Sequence, residues 1–433
     1  MTKRRRRARW LLLPAALYLL LLADWRPGPR PAAPVLLRHF TAAGALRAGA
    51  ARVVLDPPLP IVRAGYGPRK ATATRTLDPL AVRAVVVASG GHAVALVLAD
   101  VVLVPDALAR DLERRLADLG LDGVLFAGTH THSSFGGFDA RPLAQLAGTG
   151  RYRPEVAEVL AARAAAAVRA AHARLRPATL SVARDRLSGW AENRSRDGAP
   201  VDDALTVLRL DGPGGAPVAT VAVVAAHATQ IPRTEPVLSA EYPGAAMRRL
   251  EGEGDVALLL QGAEGDARPP GMGAAAVEAA GRYVADHVAA AARAAAPVPP
   301  TLGYAAVEVG LPPAEPQMLR SFFLRRPAAN LLWPFAPRAT RVTVLSLGGV
   351  ILLCVPGEPT AEAAARLAGP PPSQPDRIVR VVGVAGGYVG YVEVPERVRA
   401  GAGEGRRAWL GPDLLDALAG GLRAGIPAAL TPR

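Results

Sequence analysis

The sequence predicts an α/β fold, a layered domain of mixed β-sheet flanked by helices, and three observations carry that prediction. Short Val-rich apolar runs recur along the chain, among them Val82 to Ala88, Ala93 to Ala99 and Val218 to Ala226, and such runs bounded by turn residues read as strands. Between them lie stretches with apolar residues at helical spacing, such as Leu108, Leu112, Leu116 and Leu119 ahead of Gly120. Alternating strands and helices imply α/β layers. The pair Val342 to Leu347 and Val350 to Val355, joined at Gly348-Gly349, adds a hairpin and makes the sheet mixed.

Taken in order, the chain opens with a basic cluster, Lys3 to Arg9, ahead of an apolar run from Trp10 to Ala23. Such a segment directs the rest of the chain out of the cytoplasm, to the periplasmic or extracellular face of the membrane. At about fourteen residues the run is short for a full span. The small-x-small pattern near Leu22-Ala23-Asp24-Trp25 is poor, so residues 1–25 read as a signal or a membrane anchor held by residues 10–23. Arg26 to Pro34 is rich in Pro and Arg, and residues 26–50 read as a linker.

A single domain is expected over residues 51–433, because no composition break or repeat divides it. Strands are expected at Val53 to Leu55, Val124 to Ala127, Ala178 to Ala183, Leu205 to Leu210, Val256 to Leu260, Leu302 to Val309 and Arg377 to Val384. Helices are expected at Pro105 to Leu119, Pro154 to Leu175, Tyr242 to Leu250, Ala274 to Ala295, Thr360 to Leu367 and Pro412 to Leu422.

The net charge of +14 does not indicate a nucleic-acid partner. It comes almost wholly from Arg scattered among Ala, Gly and Pro, with Lys3 and Lys70 the only lysines, and no basic-aromatic reading module is present. The single cysteine, Cys354, lies in an apolar run, which excludes an internal disulfide and a thiolate zinc cluster and reads as a small core residue.

Chemistry concentrates at strand ends. The strand Val124 to Ala127 runs into Gly128-Thr129-His130-Thr131-His132-Ser133. Residues two apart share a strand face, so His130 and His132 would point at one spot, a common start to a zinc site or a hydrogen-bonding histidine pair. Further strands run into His227-Ala228-Thr229, Gly262 to Asp266, Pro356-Gly357-Glu358 and Gly386 to Tyr391. Polar groups gathered at strand ends are where open α/β sheets place their sites.

This ordered set, with Asn193-Arg194-Ser195, Ser239 to Gly244 and Ala64-Gly65-Tyr66-Gly67, resembles the catalytic domain of the neutral/alkaline non-lysosomal ceramidases, over roughly residues 51 to 400. The resemblance implies a zinc amidase. His130 and His227 match the family's histidine ligands, Glu358 its carboxylate ligand and Tyr391 its tyrosine ligand. His132 and Arg194 match residues placed around the reacting amide. A phenol is a poor ligand unless the cation favours its ionised form, so Tyr391 reads as a labile ligand or an oxyanion donor. His132 would exchange protons with the leaving amine, and Arg194 would hold developing negative charge.

Two positions depart from the family. Its Gly-Asp-x-Ser-Pro segment, whose serine has a catalytic role, reads Gly265-Asp266-Ala267-Arg268-Pro269 here. Arginine is no nucleophile, which excludes a serine ester at this position. Asp266 is counted with the catalytic set or else caps the helix after it. Arg268 either donates to the oxyanion or pairs with Asp266 or Glu264 and shapes the pocket. A further family tyrosine falls on Gly403, beside Glu404.

Met318 to Phe335 gathers Phe322, Phe323, Leu331, Trp333 and Phe335 around Arg325-Arg326 in a chain with only 5% aromatic residues. It reads as a membrane-interface element or as a loop packed on the core. The function expected is hydrolysis of an N-acylated lipid, ceramide first, with Zn²⁺ as cofactor and a lipid substrate and membrane surface as partners. The alternatives are a zinc amidase or esterase with another substrate, or a non-catalytic lipid-binding protein. A carboxylated-lysine barrel is disfavoured because no lysine follows Lys70. A metallo-β-lactamase site would want Asp-His where Ser133-Ser134 stand.

Overall fold

A computed structural model describes residues 14, 16–23, 33–67, 71–252, 255–369 and 377–431. The Lys3 to Arg9 cluster and most of the Arg26 to Pro34 stretch lie outside the described residues. Strand pairing begins well before residue 51. Both β1 (Val35–Ala43) and β2 (Arg47–Leu55) are nine-residue strands, so the linker expected over residues 26–50 is corrected from Val35 onward. β1 is an edge strand with an exposed first half, and edge strands carry charges such as Arg38 that hide the apolar pattern.

Among the described residues, three five-stranded sheets form the main frame, with four two-stranded ladders beside them. In the first, β2 pairs antiparallel with β3 (Leu80–Ser89), and β3 with β4 (His92–Ala99). The chain then crosses through helix α1 (Asp106–Arg115) to β5 (Gly123–Gly128), which lies parallel to β4. Alternation along the strands sends successive side chains to opposite faces. Val82, Val86 and Val97 pack against Leu108 and Leu112 of α1 and against Leu160 and Val168 of helix α2 (Pro154–Ala173). Val85, Val87, Leu96 and Leu98 face a second, central core.

The second sheet holds β6 (Thr179–Arg186), β7 (Ala204–Asp211), β8 (Pro217–Val224) and β9 (Val256–Gln261), antiparallel until the parallel pair β8–β9. Helices α3 (Glu241–Leu250) and α4 (Ala274–Arg293) pack on each other and on this sheet through Tyr242, Met247, Val284 and Val288.

The third sheet joins β1 to β10 (Thr301–Gly310), β11 (Ala339–Leu347), β12 (Val350–Cys354) and β13 (Ile378–Val382), with β12–β13 parallel. Helix α5 (Phe322–Leu332) precedes β11, α6 (Ala361–Ala368) connects β12 to β13, and α7 (Leu414–Leu430) lies across β10 and β11, burying Leu415, Leu418 and Leu422. The expected β11–β12 hairpin is present. Gly348 and Gly349 take φ of 57° and 86°, the two positive values a tight two-residue hairpin turn needs. Cys354 is fully buried in the central core, as expected.

Each sheet thus contains one parallel pair, and the carboxyl ends of the three pairs meet. Bridges join Ala127 to Ala385 and Thr131 to Ala228, and Gly383 N–H donates to the Gln261 carbonyl at 2.9 Å. Among the described residues no helix is long and apolar enough to cross a membrane.

Candidate metal centre

β5 stops at Gly128, so the two histidines do not meet by strand alternation. His130 is held at φ 61°, its N–H donating to the Val101 carbonyl at 3.1 Å. That left-handed turn brings His130 Nε2 to 3.3 Å from His132 Nε2. The other non-glycine residues with positive φ, Glu241 (50°) and Val384 (46°), also border this region. Strain of this kind costs ~1–3 kcal/mol per residue and gathers at functional sites.

His227 follows β8, its N–H donating to the Ala267 carbonyl at 2.9 Å. Glu358 and Tyr391 lie just beyond strands β12 and β13 of the third sheet, where Glu358–Pro359 and Tyr391–Val392 form a separate short parallel ladder. The chain therefore brings His130, His132, His227, Glu358 and Tyr391 to one place. The three histidines offer ligand atoms within 4.8 Å of one another, all buried. Glu358 Oε2 lies 3.1 Å from His227 Nε2 and 3.4 Å from His130 Nε2. The Tyr391 hydroxyl lies 3.4 Å from His227 Nε2.

Proton positions sharpen this geometry. Nδ1–H of His130 donates to the Val102 carbonyl, and Nδ1–H of His227 to the Glu264 carbonyl, each at 2.7 Å. A carbonyl only accepts, so both rings carry the proton on Nδ1 and present an Nε2 lone pair to the carboxylate of Glu358. Three acceptor atoms facing one another in a buried site make up the donor side of a candidate cation site. Glu358 Oε2 lies 3.1 and 3.4 Å from the two imidazole nitrogens, near the edge of roughly 3.3 Å of a tetrahedron with zinc–nitrogen bonds of roughly 2.0–2.1 Å. The donor set, two neutral imidazoles and a carboxylate, fits zinc.

Burial, then the nearby Arg194 charge, lowers the His227 pKa to about 4. Burial also pushes His132 well below the ordinary value, aided by His130 and His227. Burial opposes ionisation of Glu358, and positive charge at His130 and His227 holds its pKa well below the usual carboxylate range, a charge that a cation at the two Nε2 atoms would supply in place of imidazolium protons. Tyr391 is pushed up by burial and then by Glu358, so its phenol keeps its proton.

His132 donates its N–H to the Ala228 carbonyl at 3.0 Å. Its buried Nδ1 has no hydrogen-bond partner and faces a wall formed by Gly65 and Tyr66. Gly65 has φ 101°, and a Cβ there would sit 2.5 Å from His132 Nδ1, so only glycine leaves room for the ring. Arg194 donates to the Tyr391 hydroxyl at 2.8 Å and the Gly265 carbonyl at 3.0 Å, and its Nε donates to Glu404 at 3.1 Å. A cavity of about 210 Å³ opens beside the cluster, lined by Gly65, Val102, His130, His132, Glu358 and Tyr391 among others.

Two expected site residues lie elsewhere. Asp266 turns away from the cavity, accepting from Ala361 N–H at the start of α6 and from Asn193 at 2.8 Å; it holds a loop and a helix end together. Arg268 is corrected more sharply. Its guanidinium is more than half exposed and pairs with Glu192 at 2.8 Å, not with Asp266 or Glu264. Ala267 and Arg268 pair with Asn193 and Glu192 in a two-residue ladder, and strand alternation turns Ala267 inward and Arg268 to solvent.

Beyond a pairing of Glu264 with Arg268, the sequence assigns neither Glu264 nor Tyr388 a part in the site. Tyr388 donates its hydroxyl hydrogen to Glu358 Oε1. Glu264 is fully buried, and its carboxyl oxygens have no hydrogen-bond partner. Burial, and then the Glu358 charge, raise its pKa well above the ordinary value. The spacing Tyr-x-x-Tyr was visible in the sequence; the burial of Glu264 was not.

Fold and site together define a mixed α/β protein with a buried histidine–carboxylate centre at the junction of three sheets. The sequence matches the model of the neutral/alkaline non-lysosomal ceramidase N-terminal region over residues 56–282, and the chain belongs to that family. A curated relative, neutral ceramidase B of Dictyostelium discoideum, is 30% identical over 169 residues, a match spanning 34% of this chain and 23% of that protein. The fold is similar to that of a solved ceramidase complexed with C2, with TM-score 0.73 and 19% identity over 87% of this chain and 74% of the other. It is also similar to neutral ceramidase from Pseudomonas aeruginosa, with TM-score 0.72 and 19% identity over 87% and 73% of the two chains.

Proposed function

We propose that this protein is a zinc-dependent amidohydrolase that cleaves the amide bond of an N-acylated lipid, with ceramide the first substrate. The reading rests on one observation above the others: the Nε2 lone pairs of His130 and His227 converge on the Glu358 carboxylate at 3.4 and 3.1 Å. Membership of the ceramidase family supplies the substrate class.

His130, His227 and Glu358 would hold the metal, with Tyr391 at its side. Zinc bound there supplies a Lewis acid that polarises a carbonyl and acidifies water toward a pKa of ~7. The remaining work falls to the chain. His132, kept neutral by burial, would take the proton released by the attacking water and pass it to the leaving amine. The Tyr391 hydroxyl, oriented by Arg194, donates to the oxygen that gains charge, and Arg194 adds a fixed positive charge behind it. The cavity is smaller than the ~300–1,000 Å³ of drug-sized sites. That size suits enclosure of the amide, with the acyl chain running outward.

Arg268 in place of the family serine favours water over a serine ester as the nucleophile. The lipid would be met at a membrane surface on the exported side, to which the basic and apolar segments of residues 1–25 direct the chain. The test is metal content of the purified protein together with a panel of N-acyl substrates, with and without chelator. Zinc-dependent release of fatty acid from ceramide is expected. Release from other N-acyl amines alone would move the substrate. Bound zinc with no hydrolysis of any member would leave the lipid-binding reading.

A further inference from the structure

Helix α5 exposes apolar side chains that a protein in water would ordinarily cover. Phe322, Phe323 and Leu324 in its first turn, and Phe335 just beyond its end, are each more than half exposed. Beside it lies a second apolar helix at residues 16–22, whose Leu17, Leu19 and Leu20 are also more than half exposed. The two are tied together. Tyr18 donates its hydroxyl hydrogen to the Phe323 carbonyl at 2.7 Å, and Asn330 donates to the carbonyls of Leu21 and Ala23 at 2.6 and 3.0 Å. Segments more than 300 positions apart thus share one exposed apolar surface.

The same surface is fastened to the wall of the metal centre. Just ahead of α5, Glu315 and Gln317 donate their N–H groups to the carbonyls of Trp409 and Ala408 at 2.6 and 3.0 Å. Trp409 donates from Nε1 to the Val389 carbonyl at 2.7 Å, between Tyr388 and Tyr391. Arg407 lies 5.9 Å over the Tyr391 ring.

We propose that helices 16–22 and α5 form a bilayer-embedding platform that seats the protein on an anionic lipid surface beside its site. The platform rests on the proposed lipid substrate and names the surface through which that substrate is met. Charge selects the occupant. Arg320 is exposed two residues before α5 and Arg338 six residues after it, with Arg338 stacked 4.6 Å over Trp333, and Lys3 to Arg9 precede the first helix in sequence. Apolar and aromatic side chains rimmed by cations suit the boundary between acyl chains and anionic headgroups. A second copy docked on the same face through a twofold axis would set these cations against their own equivalents.

The experiment is sedimentation of the full chain with vesicles of phosphatidylcholine, with and without phosphatidylglycerol. Binding is read without turnover, so it stands or falls apart from the amidase reading. The wild type is expected to sediment with the mixed vesicles. The double variant Phe322→Asp, Phe323→Asp should lose ~10-fold or more in partitioning, the scale of un-burying a large apolar side chain. Phe323→Trp should retain binding, which separates lost embedding from lost folding, and Arg320→Glu should weaken binding only to the anionic vesicles. Equal binding by the aspartate variant and the wild type overturns the platform. So does a wild type that stays in the supernatant and dimerises through Phe323, which would assign the face to a second copy.

Discussion

Tyr388 donates its hydroxyl hydrogen to Oε1 of Glu358, which leaves Oε2 to face Nε2 of both His130 and His227. The phenol keeps its proton because burial, and then the Glu358 charge, raise its pKa well above the ordinary value. Partners one step behind a metal ligand fix its orientation and are worth ~10–100-fold in affinity. Tyr388→Phe should therefore weaken zinc binding by ~10-fold or more and cost the chelated protein about 1–3 kcal/mol, the scale of a buried acceptor left unpaired. Competition with a chromogenic chelator measures the first, and calorimetry the second. Unaltered affinity would mean that Glu358 is oriented by its backbone alone.

About one zinc per chain is expected in the wild type, with much less in His227→Ala, because removing one of three protein ligands opens a four-coordinate site. Metal analysis after dialysis decides it. Removing zinc from the wild type should also lower Tm, since a ligand bound only by the folded state stabilises it. Equal zinc in both proteins would remove His227 from the site.

Arg268→Ala should change kcat less than ~2-fold and stability by no more than ~1 kcal/mol, the range of an exposed ion pair. Its guanidinium meets only Glu192 in solvent. Steady-state kinetics on an N-acyl substrate, with thermal unfolding alongside, test this. A loss of ~10²-fold, the scale of a missing oxyanion donor, would require the side chain to swing into the cavity during turnover.

Glu241 gives the fold a pH dependence. Burial pushes its pKa up to about 8 from 4.5, opposed by hydrogen bonds from Ser133 and from the Gln230 and Ile231 N–H groups. The folded state thus holds this proton more tightly than the unfolded chain does. Between about pH 4.5 and 8 the folded state binds more protons, so the contribution from Glu241 falls as pH rises through that window. Glu241→Gln should flatten the decline. Chemical unfolding of both proteins at several pH values checks the slope, and parallel curves would show that Glu241 ionises as readily folded as unfolded.

Much of the fold was legible because it rests on apolar periodicity. The Val-rich runs that became β3, β4 and β8 are buried on both faces, so nothing in them interrupts the signal. β1 was not legible, because its exposed half carries Leu36, Leu37 and Arg38 without alternation. At the centre, motif order picked out His130, His132, His227, Glu358, Arg194 and Tyr391, since each stands at a strand end or in the loop after one. The positive φ of His130 could not be read, because it goes with hydrogen bonds from His130 to the distant Val101 and Val102 carbonyls. Arg268 misled for a related reason. Matching a motif position says nothing about which face of a two-residue strand a side chain takes, and here Ala267 has the inward one.

The meeting of three parallel strand pairs bears on how this protein is made. In chain order His130 comes first, His227 next, and Glu358 and Tyr391 last. Until the last sheet has docked, the emerging histidines have no carboxylate to face and the chain has no complete socket for an ion. A metal held by the proposed ligands would therefore be captured only once all three sheets have docked, and would act as a clasp across them.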